Sequence, residues 1–288
     1  MSKVLVTGGA GSMGRLVCAR LANDGHEVLA FDLPAADFEG LHEGVTAVRG
    51  DLTSAEDVGS AVGNVDAVVH LAAILPPVAD QQIDLTRRVN VEGTQIIVDA
   101  LNANAPGARL VFSSSVSVYG KSQDEGELTV QRPYDPDDNY ATTKAESEQI
   151  VLNSGLDSCV LRISGVSVPV FQEPPEEWPF LPDQRIEFVH RDDAVNAIVS
   201  GVTAELDKST RVVNVCGGPT WRMTGAEYVA DYFNMIEVDP DEAVYQSTPG
   251  HFSWYADEGG NAALGYQQNP YPQFLEQLQG DIDRLMAG

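Results

Sequence analysis

Cysteine is scarce in this sequence, which has three among 288 residues. Cys18, Cys159 and Cys216 are odd in number and far apart, and none belongs to a CxxC or Cys/His pattern. This spacing argues against a disulfide framework and a structural zinc site, and it predicts free thiols in a reducing compartment. A chain of this length buries a sizeable core without such cross-links.

Long apolar runs are also lacking. The longest stretch, residues 67–79, is interrupted by His70 and by the pair Pro76-Pro77, whereas a membrane helix needs about 20 uninterrupted apolar residues. Met1 leads directly into a strand pattern, without the charged leader and apolar core of a secretion signal. We therefore expect no membrane segment and a cytoplasmic protein.

Positive charge is in short supply as well. Lys and Arg together number 17 against 43 Asp and Glu, so the net charge is -26, and only four residues are lysine. Such a surface repels polyanions, so we expect a small-molecule substrate and no nucleic-acid partner. The acidity fits either a high-salt environment, in which ions screen self-repulsion, or a simple requirement for solubility.

Short β-branched runs alternate with amphipathic segments from residue 3 to about 165, which predicts a parallel sheet covered by helices. We predict strands over residues 4–7, 27–31, 45–49, 67–71, 109–113 and 158–163, and helices over 13–23, 87–102 and 140–153. Six parallel strands with such crossovers indicate an α/β fold with a doubly wound parallel sheet, of the Rossmann type. Ligands bind beyond the carboxyl ends of the strands in such sheets.

The chain changes character after residue 165. Residues 169–182 contain five prolines and three glutamates, which predicts a loop or lid. Strands over 187–190 and 211–215 and helices over 226–235 and 272–285 follow. We therefore divide the chain into a nucleotide-binding domain, residues 1–165, and a smaller, discontinuous C-terminal substrate-binding region, residues 166–288, of which about 187–215 returns to the first domain.

A glycine motif follows the first predicted strand and opens the first helix. Gly8, Gly11 and Gly14 permit a tight turn and let backbone N–H groups approach a pyrophosphate. Asp32 ends the second strand, where a carboxylate accepts hydrogen bonds from both adenosine ribose hydroxyls. An ordinary glycine turn would leave Asp32 unexplained. Its charge would repel a 2'-phosphate, so the pattern favours NAD over NADP.

A phenol and an ammonium stand four residues apart in Tyr140 and Lys144, which places them on one face of a helix. The cation, together with a nicotinamide, would lower the pKa of Tyr140 and let it exchange a proton with a substrate hydroxyl. Serines 113–115 end the preceding predicted strand, so one of their hydroxyls can bond the reacting oxygen.

Motifs along nearly the whole chain resemble the extended short-chain dehydrogenase/reductases, in particular the NAD-dependent epimerase/dehydratase family. The matching motifs, in the family's order, are TGGAGSMG, Gly50-Asp51-Leu52, Leu71-Ala72-Ala73, Asn90-Val91-Glu92-Gly93-Thr94, FSSSVSVYG, YATTK, Leu161-Arg162 and FVHRDD. The resemblance implies that Ser115, Tyr140 and Lys144 are catalytic. It also implies that Asp51 and Leu52 flank the adenine, and that Lys144 holds the nicotinamide ribose.

The motifs and the resemblance together give a full set of expected NAD contacts and no metal ligand. These residues are Gly8, Gly11, Ser12, Met13, Gly14, Asp32, Asp51, Leu52, Leu71, Ala72, Ala73, Asn90, Ser113, Tyr140, Lys144 and Ile163. For Asn90 a mainly structural role is the rival interpretation. His190 and Asp192 are expected to organise the fold around the C-terminal region. The family resemblance further implies a homodimer formed through the helices near residues 90–102 and 140–153.

The expected reaction is hydride transfer between a substrate carbon and NAD. Nucleotide-sugar members usually carry an asparagine where this chain has Gly165, and they have a longer insertion after the position of Pro169. Hexuronate dehydrogenases resemble this chain in that shortening, so a small sugar, sugar acid or similar alcohol is the expected substrate. Arg162, Arg185 and Arg191 are candidate counterions or structural ion pairs. The alternatives are a nucleotide-sugar 4-epimerase with tightly bound NAD and a non-catalytic NAD-sensing protein.

Overall fold

The computed structural model describes residues 1–121, 126–207 and 211–287. The strands are β1 (Lys3–Thr7), β2 (Glu27–Asp32), β3 (Val45–Arg49), β4 (Ala67–His70), β5 (Arg109–Ser115), β6 (Ser158–Ile163), β7 (Val166–Ser167), β8 (Arg185–Glu187), β9 (Val189–His190), β10 (Val212–Val215) and β11 (Arg222–Thr224). The helices are α1 (Ser12–Asn23), α2 (Ala55–Ala61), α3 (Val78–Gln81), α4 (Ile83–Thr86), α5 (Gly93–Asn104), α6 (Asn139–Asn153), α7 (Arg191–Gly201), α8 (Gly225–Met235), α9 (Gly260–Leu264) and α10 (Tyr271–Ala287).

The central sheet of the described residues has seven parallel strands in the order β10-β6-β5-β4-β1-β2-β3. The order reverses between β1 and β4, which confirms the doubly wound α/β fold. The six predicted strands are all present, but the sheet has one more than expected. A strand over residues 211–215 was predicted outside that count, and residues 212–215 pair with β6 at the edge of the sheet. This pairing could not be predicted from the sequence, because a long chain segment separates β6 from β10.

Helices bury both faces of the sheet. Alternate residues of β1 point to opposite sides, so Val4 and Val6 pack with α1 and α7 while Leu5 packs with α2 and α5. Val17 and Ile198 anchor the first face and are fully buried. Burial of each such side chain contributes about 1.5–3 kcal/mol. The two apolar layers hold the sheet, and with it the strand ends, in a fixed position.

The helix predicted over residues 87–102 is longer and interrupted in the structure. Helix α4 passes into a π-helical segment, Arg87–Glu92, and then into α5. A β-carbon added to Gly93 would lie 2.8 Å from Leu52 Cγ, so α5 packs very closely against the chain after β3. A π-helical turn changes which side chains face inward, and hydrophobic periodicity alone does not detect it.

The C-terminal region has a separate, aromatic core. Trp178, Phe180 and Trp221 pack there with residues of α8 and α10. Two small sheets accompany it, β8 with β11 and β7 with β9. Helix α8 begins with a capping box in which Thr224 and Glu227 bond each other's backbone. Residues 169–182 contain neither helix nor strand, apart from a bridge at Trp178, as their prolines predict.

Buried polar residues tie the C-terminal segments to α7. The carboxylate of Asp193 is fully buried and accepts hydrogen bonds from the backbone of Gln268 and Asn269, both at 3.1 Å. His190 precedes α7, and its Nε2 lies 2.9 Å from the side-chain oxygen of Gln277 on α10. Across residues 1–121, 126–207 and 211–287, no helix is long and apolar enough to cross a membrane.

Replacing Asp193 by alanine should lower the free energy of unfolding by about 3 kcal/mol, because the backbone N–H groups of Gln268 and Asn269 lose a charged acceptor. The neighbouring Asp192 is the matched control, since its side chain is 43% exposed and pairs with Arg191. Asp192→Ala should cost less than about 1 kcal/mol. Urea denaturation measures both values, and equal losses would contradict the anchoring role of Asp193.

Candidate active site

The glycine turn between β1 and α1 has no room for side chains. Gly8 has φ +69°, and a β-carbon there would lie 3.0 Å from the backbone nitrogen of Ala72. At Gly14 a β-carbon would lie 2.0 Å from the Gly8 carbonyl oxygen. The N-cap residue of α1, Gly11, offers no side-chain cap. The first N–H groups of α1 are therefore directed to whatever occupies the adjoining cavity, which suits an anionic group.

Asp32 stands at the end of β2 beside that turn. One carboxylate oxygen accepts a hydrogen bond from Ala10 N at 3.1 Å and the other accepts one from Leu33 N at 2.8 Å. Each oxygen keeps a second lone pair for a ligand. Arg15 donates to the carbonyls of Ala10, Asp37 and Glu39 instead. It fastens the loop after β2 and does not stand beside the carboxylate as a phosphate-binding cation.

A cavity of about 340 Å³ extends along this edge of the sheet. All of the expected cofactor residues from Gly8 to Ala73 line it: Gly8, Gly11, Ser12, Met13, Gly14, Asp32, Asp51, Leu52, Leu71, Ala72 and Ala73. Sequence reasoning missed further lining residues, among them Phe31, Gly50, Ile74 and Val89. Gly50 carried a signal, because it precedes Asp51 in a recognised motif. A β-carbon at Gly50 would meet the Phe31 ring at 2.5 Å.

The three expected catalytic residues converge where β5 meets α6. Ser115 is the last residue of β5, and it lies beside Ile163 of β6. Tyr140 and Lys144 occupy successive turns of α6. The Lys144 ammonium donates a 2.7 Å hydrogen bond to the Ser113 carbonyl and lies 5.9 Å from the centre of the Tyr140 ring. The fold thus assembles a hydroxyl, a phenol and an amine at one strand end.

Burial dominates the ionisation of this cluster. It raises the pKa of Tyr140 to about 12, against an opposing hydrogen bond with Ser115, and the charge of Asp138 adds to the rise. Burial also lowers the pKa of Lys144 to about 8. Desolvation is the largest cause of this shift, and it leaves the pKa of Tyr140 in the chain itself above its ordinary value. The lowering expected from Lys144 acting together with a nicotinamide stays a prediction. At neutral pH the Tyr140 hydroxyl is protonated and can act as an acid.

Aspartates that sequence reasoning missed hold the start of α6. Asp138 is the N-cap residue and accepts a 2.6 Å hydrogen bond from Ala141 N. Asp80 Oδ1 accepts from the backbone of Asn139 at 3.1 Å and of Tyr140 at 3.3 Å. Asp138 had a signal in the sequence, since aspartate is a preferred N-cap residue. Contacts from Asp80 cross a long stretch of sequence and have no such local signal.

His251 brings the C-terminal region to the same helix start. Its Nε2 contacts Asp137, and its Nδ1 lies 3.7 Å from Asp138. The ligand atoms of these three residues lie within 4.8 Å of one another, a spacing that suits a metal ion. The imidazole and Lys121, whose Nζ is 3.6 Å from Asp137, already pair with the carboxylates. These carboxylates therefore have partners within the chain, and the cluster joins His251 to the start of α6.

Asn90 lies beneath the site and outside the lining of the cavity. Its side chain is 3% exposed and bonds the backbone N and O of Ile74, at 2.7 and 3.1 Å, and the Thr143 hydroxyl at 3.1 Å. These contacts join the chain after β4 to α6. The geometry therefore gives Asn90 a structural position, which was the rival interpretation.

The three candidate counterions differ sharply in environment. Arg162 is 3% exposed and pairs with the buried carboxylate of Glu148, so it is unavailable to a substrate. Arg191 pairs with Asp192. Arg185 stacks 4.6 Å from the centre of the Trp254 ring and donates to the Gly126 carbonyl at 3.4 Å. No carboxylate within the described part of the chain pairs with Arg185, which leaves it as the candidate for an acidic ligand.

Because Lys144 loses its proton near pH 8 when folded and near 10.5 when unfolded, the unfolded chain binds more protons between these values. Stability should therefore rise with pH in this window. Relative to Lys144→Met, the wild-type free energy of unfolding should increase by about 3 kcal/mol from pH 8 to pH 10.5. Urea denaturation over this range measures it, and a difference that stays constant with pH would contradict the assignment.

Comparison with known proteins is consistent with this geometry. A family model described as "NAD dependent epimerase/dehydratase family" matches residues 4–179. The 3-beta-hydroxysteroid dehydrogenase of Mycolicibacterium neoaurum is 36% identical over 58% of this chain and 48% of its own length. The 2-alkyl-3-oxoalkanoate reductase of Stenotrophomonas maltophilia is 39% identical over 52% of this chain and 46% of its own. The chain thus spans about half the length of these curated relatives.

Solved structures match over nearly the whole chain. MoeE5 in complex with UDP-glucose and NAD has a TM-score of 0.80 and 25% identity, covering 99% of both chains. A short-chain dehydrogenase/reductase superfamily protein from Agrobacterium tumefaciens with bound NAD also has a TM-score of 0.80, at 21% identity, covering 99% of this chain and 98% of its own. The second likeness concerns the fold alone.

Proposed function

The chain belongs to the NAD-dependent epimerase/dehydratase family, and we propose that it is an NAD-dependent oxidoreductase acting at a secondary alcohol or hemiacetal carbon. The substrate class we propose is a small sugar, sugar acid or similar alcohol. One observation carries the proposal: Ser115, Tyr140 and Lys144 meet at the strand end beside the glycine-lined cavity. A hydroxyl, a proton-transfer group and a cation are the parts that this chemistry requires.

The residues around the glycine turn fit a dinucleotide. Gly8 and Gly14 leave their backbone bare where a diphosphate would approach, and Asp32 offers free lone pairs for a ribose. Lys144 and Ser113 stand further along, where the nicotinamide ribose is expected. When bound, NAD supplies the acceptor or donor of the hydride. The complex of MoeE5 with UDP-glucose and NAD, at 25% identity, supports this assignment.

Tyr140 moves the proton at the substrate oxygen. During reduction its hydroxyl gives a proton to the oxygen of the new alcohol, and during oxidation the phenolate takes that proton back. The raised pKa of Tyr140, about 12, makes the acid role the favoured one in the chain itself. Ser115 donates a hydrogen bond to the same oxygen and keeps it within reach of the phenol. Lys144 places positive charge beside the phenol and stabilises its ionised form.

The environment of Gly165 supports a small substrate. A β-carbon at this position would lie 2.4 Å from Cδ1 of Phe188 and 3.1 Å from Cε1 of Phe252. An asparagine like that of the nucleotide-sugar members has no space here, because the two rings fill it. Arg185, which lacks a carboxylate partner in the described residues, is the counterion we propose for the acid group of a sugar acid.

A nucleotide-sugar 4-epimerase is the second candidate. The complex of MoeE5 with UDP-glucose and NAD, at 25% identity, favours it. The names of the two relatives above 35% identity, a dehydrogenase and a reductase, favour net oxidation or reduction instead. The Phe188 and Phe252 rings beside Gly165 also favour a small substrate over a nucleotide sugar. We therefore propose net oxidation or reduction as the leading function.

A homodimer and a cytoplasmic location complete the proposal. The dimer would form through α5 and α6, as the family resemblance implies. A shallow groove runs between these helices and is lined mainly by polar side chains, including Gln95, Asp99, Asn102, Gln149 and Asn153. Hydrogen bonds rather than apolar burial would therefore supply much of the specificity of such a contact.

Asp32 should make the chain prefer NADH to NADPH by about 10-fold or more, since its carboxylate gains charged hydrogen bonds from a ribose and repels a phosphate. Asp32→Ala should weaken NADH binding and bring the affinities for NADH and NADPH closer together. Glu39→Ala is the matched control, because Glu39 is exposed in the loop that follows. Fluorescence titration with each reduced cofactor gives the ratio, and a tighter wild-type affinity for NADPH would overturn the assignment.

The reaction is tested by incubating the protein with NAD and a panel of substrates: free sugars, sugar acids, a 3-hydroxysteroid, a 3-hydroxyalkanoate and UDP-sugars. We expect NADH absorbance to appear with a free sugar or sugar acid. Conversion of a UDP-sugar without net NADH formation would replace the leading proposal with the epimerase. A response to the steroid or hydroxyalkanoate alone would retain the chemistry and change the substrate class.

Tyr140→Phe should lower kcat by about 10²-fold or more, because it removes the proton-transfer group, while NAD binding stays close to wild type. Tyr245→Phe is the control, since the Tyr245 ring packs against Phe180 in the C-terminal core. Full activity of Tyr140→Phe on any substrate that the wild type converts would rule out this mechanism.

A further inference from the structure

A buried ion pair lies one helical turn beyond Lys144. Glu148 is on the same face of α6 as Tyr140 and Lys144, and it is fully buried. Arg162 of β6 pairs with it through Nε, at 3.1 and 3.2 Å from the two carboxylate oxygens, and through Nη2. From the sequence, Arg162 was a candidate for either a substrate counterion or a structural ion pair, and the structure gives the ion pair; its partner Glu148 was not foreseen.

The same carboxylate also holds the end of β5. The Ser114 hydroxyl donates a 2.8 Å hydrogen bond to Oε2 of Glu148. Ser114 lies between Ser113, whose carbonyl accepts the Lys144 ammonium, and Ser115. Since alternate residues of a strand point to opposite sides, the Ser114 anchor fixes from behind the segment that presents the Ser115 hydroxyl to Tyr140.

The pair reaches the C-terminal region as well. Arg162 Nη1 donates to the Tyr119 hydroxyl at 2.9 Å, and that hydroxyl donates to Asn214 Oδ1 at 2.6 Å. The Asn214 amide then donates to the carbonyls of Leu128 and Ala256, at 3.0 and 3.1 Å. The side chains along this path, Arg162, Tyr119 and Asn214, are buried and partnered, and such networks hold one geometry strongly.

We infer that Glu148 is a positioning residue for the reaction: through Ser114 it sets where the Ser115 hydroxyl stands relative to Tyr140. This inference rests on the proposed function and names a part of its machinery. Neither Glu148 nor Ser114 touches the cavity; each is at most 3% exposed. Their effect is therefore on the geometry of Ser115 and Tyr140, and the binding of NAD does not depend on them.

Ser114→Ala removes the anchor with almost no change in volume, and Glu148→Gln keeps the shape but weakens the acceptor. We expect each to lower kcat by about 10-fold or more, since small misplacements are costly in rate, with KM and NADH affinity close to wild type. The substrate is the one identified by the panel above. Glu146→Gln is the matched control, because Glu146 is on the same helix and pairs with Arg87 at the surface.

A second readout needs no substrate. Ionisation of Tyr140 is followed in the NAD complex by tyrosinate absorbance, as the difference between each variant and the same variant carrying Tyr140→Phe. Because the Ser115 hydrogen bond lowers the pKa of Tyr140, Ser114→Ala and Glu148→Gln should raise it, whereas Glu146→Gln should not. A merely structural role would lower the melting temperature and leave this titration unchanged.

The outcomes separate this inference from the proposed function. Wild-type kcat or an unshifted Tyr140 titration in Ser114→Ala would overturn the positioning role, even if Tyr140→Phe is inactive. Full activity of Tyr140→Phe would instead overturn the proposed function. If Glu148→Gln fails to fold, Ser114→Ala alone decides, since it leaves the Glu148–Arg162 pair intact.

Discussion

The hydrogen bond from the Lys144 ammonium to the Ser113 carbonyl sets the distance between α6 and the end of β5. Everything expected of the site follows from that distance, since Ser115 lies two residues along the strand and Tyr140 one turn back along the helix. Lys144 is 4% exposed, and burial lowers its pKa to about 8. It is stabilised by one carbonyl and by the rings of Phe112 and Tyr140, at 5.2 and 5.9 Å.

Helix α6 is held at successive turns by groups of different kinds. Asp80 and Asp138 fix its first turn through backbone N–H groups. Lys144 holds its middle against β5, and Glu148 joins it to both β5 and β6. A helix restrained in this way cannot slide or rotate without breaking buried polar contacts, each of which is costly to leave unpaired. Such rigidity suits chemistry that depends on the placement of one proton.

The features that could be predicted from the sequence are formed by residues close together along the chain. The glycine turn, the acidic end of β2 and the phenol–ammonium pair are each defined within a few residues of their neighbours, so spacing sufficed to find them. What it missed joins distant parts of the chain. Three such contacts depend on tertiary packing: β10 pairs with β6, Arg162 is buried against Glu148, and the Asn90 side chain bonds the backbone of Ile74. Hydrophobic periodicity and motif spacing carry no signal for such contacts.

The protein has a net charge of -26. The protonation states of the site depend instead on the burial of a few groups. The proposed reaction requires that the phenol of Tyr140 exchanges a proton with a substrate oxygen beside a nicotinamide. A crystal structure with NAD and a substrate alcohol tests this most directly, through the distance between the Tyr140 hydroxyl oxygen and the alcohol oxygen. We predict about 2.6–3.2 Å, with the Ser115 hydroxyl hydrogen-bonded to the same alcohol oxygen. An alcohol bound out of reach of Tyr140, with the nicotinamide in place, would contradict it.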